Sequence, residues 1–507
     1  MAPDGAAYAI PTASEIDNSW KSVKARAQAF TADGRKIVVV QGLGFVGAAV
    51  AAVVASARDP ETTPSYFVIG VDVPTPGGYW KIAKLNAGTA PISSPDAELD
   101  RLTHAGVCLQ GNLAATSSEE AYSLADVIIV DLPLDVEDRF VNNTKEVDIR
   151  LAPFKQALHV IGRRMRPDAL VIVETTVPIG FCERIVRPLL QAERELRDIP
   201  EPVLLAHAYE RVMPGSKYVD SIRNFWRTFS GVDQPSTAAA RTFLSSIINV
   251  GEYPLWDLQD TNASEMAKLI ENSYRSVNIA FIHEWTILAE RTGVNLFDVI
   301  NSIRVRKGTH DNIRQPGFGV GGYCLTKDPL FAQWSATKLF AMDHELAMTV
   351  EALRINQRMP LHTFELAVEL AGGSVSGKRI AVCGVSYLPE VPDTRNSPAE
   401  ELVDALLAAG ASVLAQDPYI AHWPERHQVD FTRDLRECLS KADGLIVAVP
   451  HKPYLDLTVN DFVNGSCRFV VDAQNCIGDD LAAGLHAKGV RISGVGKGHW
   501  RKRGFHI

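Results

Sequence analysis

The 507-residue chain reads as an α/β protein of two Rossmann-like, doubly wound domains joined by a long central helix and a helical segment. Three observations predict this. A β-branched strand, a Gly-x-Gly-x-x-Gly turn and an Ala/Val-rich helix follow one another over residues 35–56. A second strand runs into a glycine turn at residues 377–385. Between them, residues 264–289 carry apolar side chains at helical spacing with no proline. A chain of this length exceeds one core, so we divide it into an extension (1–34), a first Rossmann domain (35–255), a central helical domain (256–371) and a second Rossmann-like domain (372–507).

Composition narrows the class. Apolar content of 46% and charged content of 22% are ordinary for a globular chain, and a net charge of −9 argues against a general nucleic-acid binder. The seven cysteines are scattered with no Cys-x-x-Cys pair, so neither a disulfide framework nor a metal site is expected. That fits a reducing cytoplasm. No run approaches 18 apolar residues, and Asp4, Glu15 and Asp17 interrupt the N-terminus, so neither a membrane span nor a signal peptide is expected.

Residues 1–34 are rich in Ala, Ser, Thr and Asp; a short helix is predicted over 16–30, and the segment reads as a solvent-exposed extension. Residues 35–41 have the pattern of a buried parallel strand and lead directly into Gly42-Leu43-Gly44-Phe45-Val46-Gly47 and a helix over 48–56. The glycine motif alone is weak evidence, but strand, glycines and helix in that order give it its context. Gly42 makes the tight turn, Gly44 lets a pyrophosphate approach the backbone, and Gly47 lets the helix pack on the strand. The helix start then presents free N–H groups to the phosphates. A second strand, 66–71, ends in Asp72, where an acid binds a ribose 2′-hydroxyl and repels a 2′-phosphate, which favours NAD over NADP; the polar insert 58–65 lengthens the spacing.

Strands over 125–133 and 169–178 end in polar residues, which places Glu174 and Thr176 at the border of the cofactor. A strand over 203–207 leads to Tyr209-Glu210-Arg211-Val212-Met213-Pro214-Gly215, a solvated turn by composition whose acid and base gain interest from their place in the strand order. In the central helix Lys268 and Asn272 are four residues apart and share a face, with Arg275 and Asn278 close to that stripe. Such a stripe is usually a helix's wet side. Beside a nucleotide-binding domain, though, an ammonium and an amide suit the oxyanion formed when an alcohol gives up hydride. Lys-x-x-x-Asn also resembles the β-hydroxyacid dehydrogenase group, so a two-electron dehydrogenase is a rival.

Residues 315–328 read QPGFGVGGYCLTKD. Four glycines in six residues (317–322) permit positive φ and close approach to a ligand. Cys324, Lys327 and Asp328 then supply a nucleophile, a cation to favour its thiolate and a carboxylate to orient water, the alternative being a glycine turn before a structural cysteine. A helix is predicted over 343–370, a strand entering a glycine turn over 377–385, a helix over 397–409, and strands over 411–415, 444–449 and 469–472. This half lacks a full Gly-x-Gly-x-x-Gly, which favours a nucleotide other than a dinucleotide.

Taken together, GLGFVG, VIGVDV, ADVIIV, VIVETTVP, YERVMPG, EMAKLIENSYRSVNIAF, GFGVGGYCLTKD and VSYLPEVPDTRNSPAEEL resemble the UDP-glucose/GDP-mannose dehydrogenase family from about Arg35 to the C-terminus. The resemblance implies NAD-dependent oxidation of the C6 alcohol of a nucleotide sugar to a uronic acid. It implies Cys324 as nucleophile, Lys268 and Asn272 as oxyanion stabilisers, Asp328 and Thr176 placing water, and Glu210 beside the reacting carbon. Phe45, Val46, Pro133, Thr176 and Lys327 fall to the cofactor with the motif residues. Glu210, Arg211, Lys268, Asn272, Arg275, His310, Gly319, Gly321, Gly322 and Arg395 fall to the substrate. A homodimer on the central helix is also implied. A two-electron dehydrogenase needs no thiol, so Cys324 separates it from this reading; a non-catalytic sugar-nucleotide binder is a further alternative.

Three positions depart from the family pattern. Leu388 stands where a lysine is usual, His310 where an arginine is usual (Arg304, Arg306 and Arg314 lie nearby), and Asp472-Ala473-Gln474 replaces Asp-Gly-Arg. They leave the oxidation chemistry intact and bear on which sugar nucleotide is used. The Tyr-Glu-Arg-Val-Met-Pro-Gly segment is similar to the N-acetylhexosamine branch.

Overall fold

The computed structural model describes residues 6–92, 94–139, 146–212, 215–463 and 465–507. Met213, Pro214 and the first five residues of the extension therefore lie outside the described residues. Two compact units emerge, Met1–Ile270 with Leu330–His344, and Glu271–Pro329 with Glu345–Ile507.

The first unit is built on an eight-stranded sheet: β1 (Lys36–Gln41), β2 (Tyr66–Val71), β3 (Leu113–Thr116), β4 (Val127–Val130), β5 (Leu170–Val173), β6 (Leu204–His207), β7 (Thr228–Gly231) and β8 (Trp256–Asp257). Their order is β3-β2-β1-β4-β5-β6-β7-β8, with β7 antiparallel to β6. The first six are parallel and follow the dinucleotide-fold order, whose switch point lies between β1 and β4. Runs such as Ile37-Val38-Val39-Val40 are buried because helices cover both faces of a parallel sheet. Helix α2 (Phe45–Ala55) is buried from Gly47 to Ala55, which its Ala and Val side chains allow.

Two expectations for this unit change. The N-terminal segment is a helix, α1 (Ala13–Phe30), held at its start by a Thr12–Glu15 capping box. It is not a solvent-exposed extension: Trp20, Val23 and Ala27 are buried, Arg26 donates to the Gly111 carbonyl, and the Phe30 and Phe67 rings meet edge to face at 5.7 Å. The strand set is also larger than expected. β3 reads Leu-Ala-Ala-Thr, too short and alanine-rich to register by β propensity, and β7 is a four-residue strand set antiparallel to β6 and parallel to the two-residue β8.

The central helix runs Thr261–Thr292. Asp260 opens it by accepting the Asn262 N–H, and Gly293, at φ +76°, closes it while the Val294 N–H reaches back to the Ala289 carbonyl. A second long helix, Ala347–Leu370, starts four residues later than expected and contains Pro360.

The second unit carries β9 (Arg379–Cys383), β10 (Ser412–Gln416), β11 (Asp430–Thr432), β12 (Gly444–Val447), β13 (Phe469–Asp472) and β14 (Arg491–Gly494). All are parallel, in the order β11-β10-β9-β12-β13-β14, the first unit's order repeated. The fastenings repeat as well. Asp126 accepts the Ile37 N–H as Asp443 accepts that of Arg379, both at 2.8 Å, and Asp72 accepts the Leu43 N–H as Asp417 accepts that of Val385, both at 3.0 Å. After the glycine the two diverge. In the first unit a helix starts at Phe45, three residues past Gly42, whereas in the second the chain loops from Val385 until a helix begins at Ala399. There Asp417 is also bonded by the buried His451 at 3.1 Å. The second turn therefore lacks the helix start that holds a pyrophosphate.

Candidate active site

At the end of β1 the backbone itself requires two of the three motif glycines. Gly42 has φ +95° and a Cβ there would lie 2.5 Å from the Asp131 carbonyl oxygen; one on Gly47 would lie 1.9 Å from the Gly42 oxygen. Gly44 differs, because nothing lies within 4 Å of its Cβ position. Its lack of a side chain leaves open space at the start of α2, which fits a pyrophosphate lying against the first-turn N–H groups of Phe45 and Val46. Asp72 is held by the Leu43 and Val73 N–H groups and by the Lys81 ammonium at 2.9 Å, so its carboxylate stands fixed beside the turn. Pro133 is exposed just past β4.

Sequence reasoning missed an acid here. Asp131, directly after β4, accepts the Gly47 N–H, and burial together with the charges of Glu174 and Glu210 pushes its carboxyl well above the usual carboxylate range, against the opposing pull of Arg227. Glu174 is itself raised by burial, although Arg227 pairs with it at 2.5 Å, and its second oxygen is buried without a partner among the described residues. Two carboxyls, Asp131 and Glu174, thus share the Arg227 guanidinium at the carboxyl ends of β4 and β5, with the Glu210 charge acting on both. In the sequence Asp131 is only one polar residue at a strand end.

The first turns of the central helix are fastened to the loops after β5 and β6. Ser264 bonds the buried His207 ring at 2.8 Å, Glu265 accepts the N–H groups of Gly180 and Cys182, and Lys268 donates to the Glu210 carbonyl at 2.9 Å. Burial, reinforced by the Lys268 ammonium, pushes His207 down to about 3, so the ring is neutral. Lys268 is 8% exposed and lies 5.3 Å from the Tyr209 ring centre. It is not on a wet helix face. Thr176 is half-buried in the loop after β5. Arg211 turns to the Trp226 carbonyl and the Tyr209 hydroxyl, bracing its own loop.

In the second unit the glycine loop meets protein. A Cβ on Gly322, at φ +83°, would lie 2.7 Å from the Tyr387 ring, and one on Gly321 2.7 Å from Pro398 and 2.8 Å from the Asn396 oxygen. The loop's glycines therefore serve packing against residues 387–398 at least as much as approach to a ligand. Cys324 is exposed at the end of this loop. Lys327 and Asp328 are buried, at 2% and 0% exposure, and paired at 2.7 Å, while the other Asp328 oxygen accepts the Asn272 amide at 2.6 Å. The Lys327 ammonium thus has the neighbouring Asp328 as an ion-pair partner.

The remaining residues also fall in the second unit. Arg395 pairs with Asp393 at 2.6 Å and lies 6.0 Å from the Tyr323 ring. His310, bonded to Thr309, lines a cavity of 280 Å³ with Tyr274, Asn278, Phe281 and Asn312, and Arg275 is exposed near Arg314. Gln474 lies where a Cβ on Gly317 would meet it at 3.0 Å, and Leu388 is 38% exposed.

The dinucleotide turn of the first sheet, the ammonium-bearing helix and the exposed thiol in a glycine loop define a class, the NAD-dependent oxidoreductases. Three models of the UDP-glucose/GDP-mannose dehydrogenase family match: its NAD binding domain over residues 35–247, its central domain over 262–358 and its UDP binding domain over 381–479. The chain belongs to the UDP-glucose/GDP-mannose dehydrogenase family, as a nucleotide-sugar dehydrogenase that uses NAD. It is 31% identical to the UDP-N-acetyl-D-mannosamine dehydrogenase of Pyrococcus horikoshii, over 91% of this chain and 99% of that protein. It is 30% identical to the NDP-N-acetyl-D-galactosaminuronic acid dehydrogenase of Ralstonia nicotianae, over 88% and 97%. The crystal structure of the NDP-N-acetyl-D-galactosaminuronic acid dehydrogenase of Methanosarcina mazei superposes with a TM-score of 0.76 at 27% identity, covering 94% of this chain and 98% of that one. Among the described residues no helix is long and apolar enough to cross a membrane.

Proposed function

We propose that the protein oxidises the C6 alcohol of a UDP-N-acetylhexosamine to the uronic acid, with Cys324 holding the sugar covalently between two oxidations. The observation that carries this is the exposed thiol on a tightly packed glycine loop, a few residues before a buried Lys327–Asp328–Asn272 chain. The relatives named for UDP-N-acetyl-D-mannosamine and NDP-N-acetyl-D-galactosaminuronic acid support the choice of sugar.

NAD, when bound, takes up the hydride that leaves C6 at each oxidation. Lys268 and Asn272 steady the oxygen as it becomes negative, and a poorly solvated ammonium does so better than one in water. The Cys324 sulfur adds to the aldehyde carbon to give a thiohemiacetal, and its oxidation leaves a thioester. Asp328 and Thr176 orient the water that cleaves the thioester, freeing the thiol and the carboxylate, while Glu210 holds the sugar beside the reacting carbon. The balance is one alcohol, one water and two NAD to one carboxylate, two NADH and three protons.

A homodimer on the central helix belongs to the same proposal. Tyr274, Phe281, Trp285 and Leu288 recur at helical spacing and are each 48–52% exposed, an apolar stripe suited to a second copy of itself. Trp285→Glu should lower the mass measured by light scattering to one chain's.

A panel of UDP- and GDP-hexoses and N-acetylhexosamines, followed by NADH absorbance and product analysis, tests the function. Two NADH per uronate with a UDP-N-acetylhexosamine is the expected result. One NADH per sugar, ending at an aldehyde or ketone, would establish the two-electron alternative.

A further inference from the structure

The fastening of the central helix to the loop after β5 has a use that the proposed mechanism leaves unassigned. Glu265 is fully buried, and its carboxyl sits across the turn that opens the helical run 182–195. One oxygen accepts the Gly180 N–H at 2.6 Å, the other the Cys182 N–H at 2.8 Å, and the Phe181 N–H and the Cys182 thiol also point to it. Thr176 lies four residues before Gly180 on that loop, and Lys268 lies three residues after Glu265 on the helix, hence on the same side one turn on.

We infer that Glu265 is a positioning residue, whose ionised carboxylate ties the Thr176 loop to the Lys268 turn and holds both in the geometry that turnover needs. The inference rests on the proposed roles of Thr176 and Lys268. A carboxylate offers two acceptors to two converging N–H groups. A protonated acid or an amide offers one good acceptor and turns a hydrogen toward the other N–H, so the loop slips.

Burial raises the Glu265 carboxyl to about 7 against the lowering pull of these hydrogen bonds. The titratable and charged groups around it are the Cys182 thiol, Glu183 beside that thiol, Lys268 on its own helix and the neutral His207 bonded to Ser264. Turnover should therefore rise with pH as Glu265 ionises, and the tie should be complete above the midpoint.

The test is kcat with both substrates saturating, across pH 5.5–9, for the full-length protein, Glu265→Gln, Glu265→Asp and Cys182→Ser. Glu265→Gln should lower kcat by about tenfold at pH 8, lose the rising limb near neutrality and leave both KM values within about twofold. Glu265→Asp should restore part of the activity and the limb. Cys182→Ser puts a stronger hydrogen-bond donor on the carboxylate, which should move the limb to lower pH. Parental kcat and an unmoved limb in Glu265→Gln would overturn the inference. If Glu265→Gln fails to fold, the Cys182→Ser profile decides: a shifted midpoint supports the tie and an unchanged one overturns it. Lys268→Ala is run alongside, because parental turnover in that variant would sink the reading of Lys268, whereas an inactive Lys268→Ala beside a fully active Glu265→Gln would sink only this inference.

Discussion

Asn272 donates its side-chain amide to Asp328 at 2.6 Å, and the second Asp328 oxygen carries the Lys327 ammonium at 2.7 Å. A buried carboxylate held from both sides is fixed in direction, as a group that aims a water must be. It also ties the role proposed for Asp328 to stability. Asp328→Asn removes the carboxylate paired with the buried Lys327, which should cost about 3–5 kcal/mol, whereas breaking the exposed Lys441–Glu437 pair should leave stability almost unchanged. Denaturant midpoints of the two variants check this. Equal, small losses would show that the Lys327–Asp328 pair is better solvated than its burial indicates.

The motif glycines should separate by variant. Gly47→Ala places a carbon on the Gly42 carbonyl and should destabilise the first unit outright. Gly44→Ala meets no protein atom, so its melting temperature should stay near the parent's while NAD affinity falls by about tenfold or more. Thermal melts paired with NAD titration distinguish the two. A Gly44→Ala protein that binds NAD normally would remove the pyrophosphate from that turn.

Asp131 gives NAD binding a pH dependence of definite sign. An acid whose folded pKa is raised supplies stability that is complete below its unfolded value and lost as pH rises through the folded one. Ionisation adds a negative charge at the Gly47 N–H, beside the start of α2 where we propose the pyrophosphate binds, so NAD affinity should fall as pH rises and Asp131 ionises. Asp131→Asn should flatten that fall and gain stability over the parent at high pH. Calorimetric Kd values at several pH settings check it, and a parental slope in Asp131→Asn would show that Asp131 does not carry the dependence.

Lys268→Ala should lower kcat by about 10²-fold or more, with much smaller changes in KM, because its interaction strengthens as negative charge develops on oxygen. Its burial and its bond to the Glu210 carbonyl already remove the bland reading of a solvated stripe. Single-turnover NADH formation at saturating substrate is the measurement.

The parts legible in the sequence are those in which neighbours along the chain determine the outcome. β1, its glycine turn and α2 are contiguous, so pattern and motif suffice to place them. Asp131 and Glu265 were not legible, because an acid at a strand end or on a helix gains meaning only from groups far along the chain, Gly47 and Arg227 for one, Gly180 and Cys182 for the other. The 317–322 glycines look like a ligand cradle in sequence, yet the Tyr387 ring that requires Gly322 lies 65 residues later. The Lys327–Asp328 ion pair was likewise not legible, because adjacency in sequence does not tell which side chains turn inward together.

Covalent catalysis by Cys324 is tested most directly by mixing Cys324→Ser and Cys324→Ala with NAD and the UDP-N-acetylhexosamine, counting NADH per enzyme and weighing the intact protein. Uronate formation should collapse in both variants with NAD and sugar-nucleotide binding retained, because the first unit's glycine turn lies far from the thiol in sequence and owes it nothing. Cys324→Ser should accumulate an ester adduct of the mass of the UDP-sugar uronyl group, since water cleaves an ester more slowly than a thioester. Uronate at the parental rate from either variant, with no adduct, would contradict the covalent mechanism.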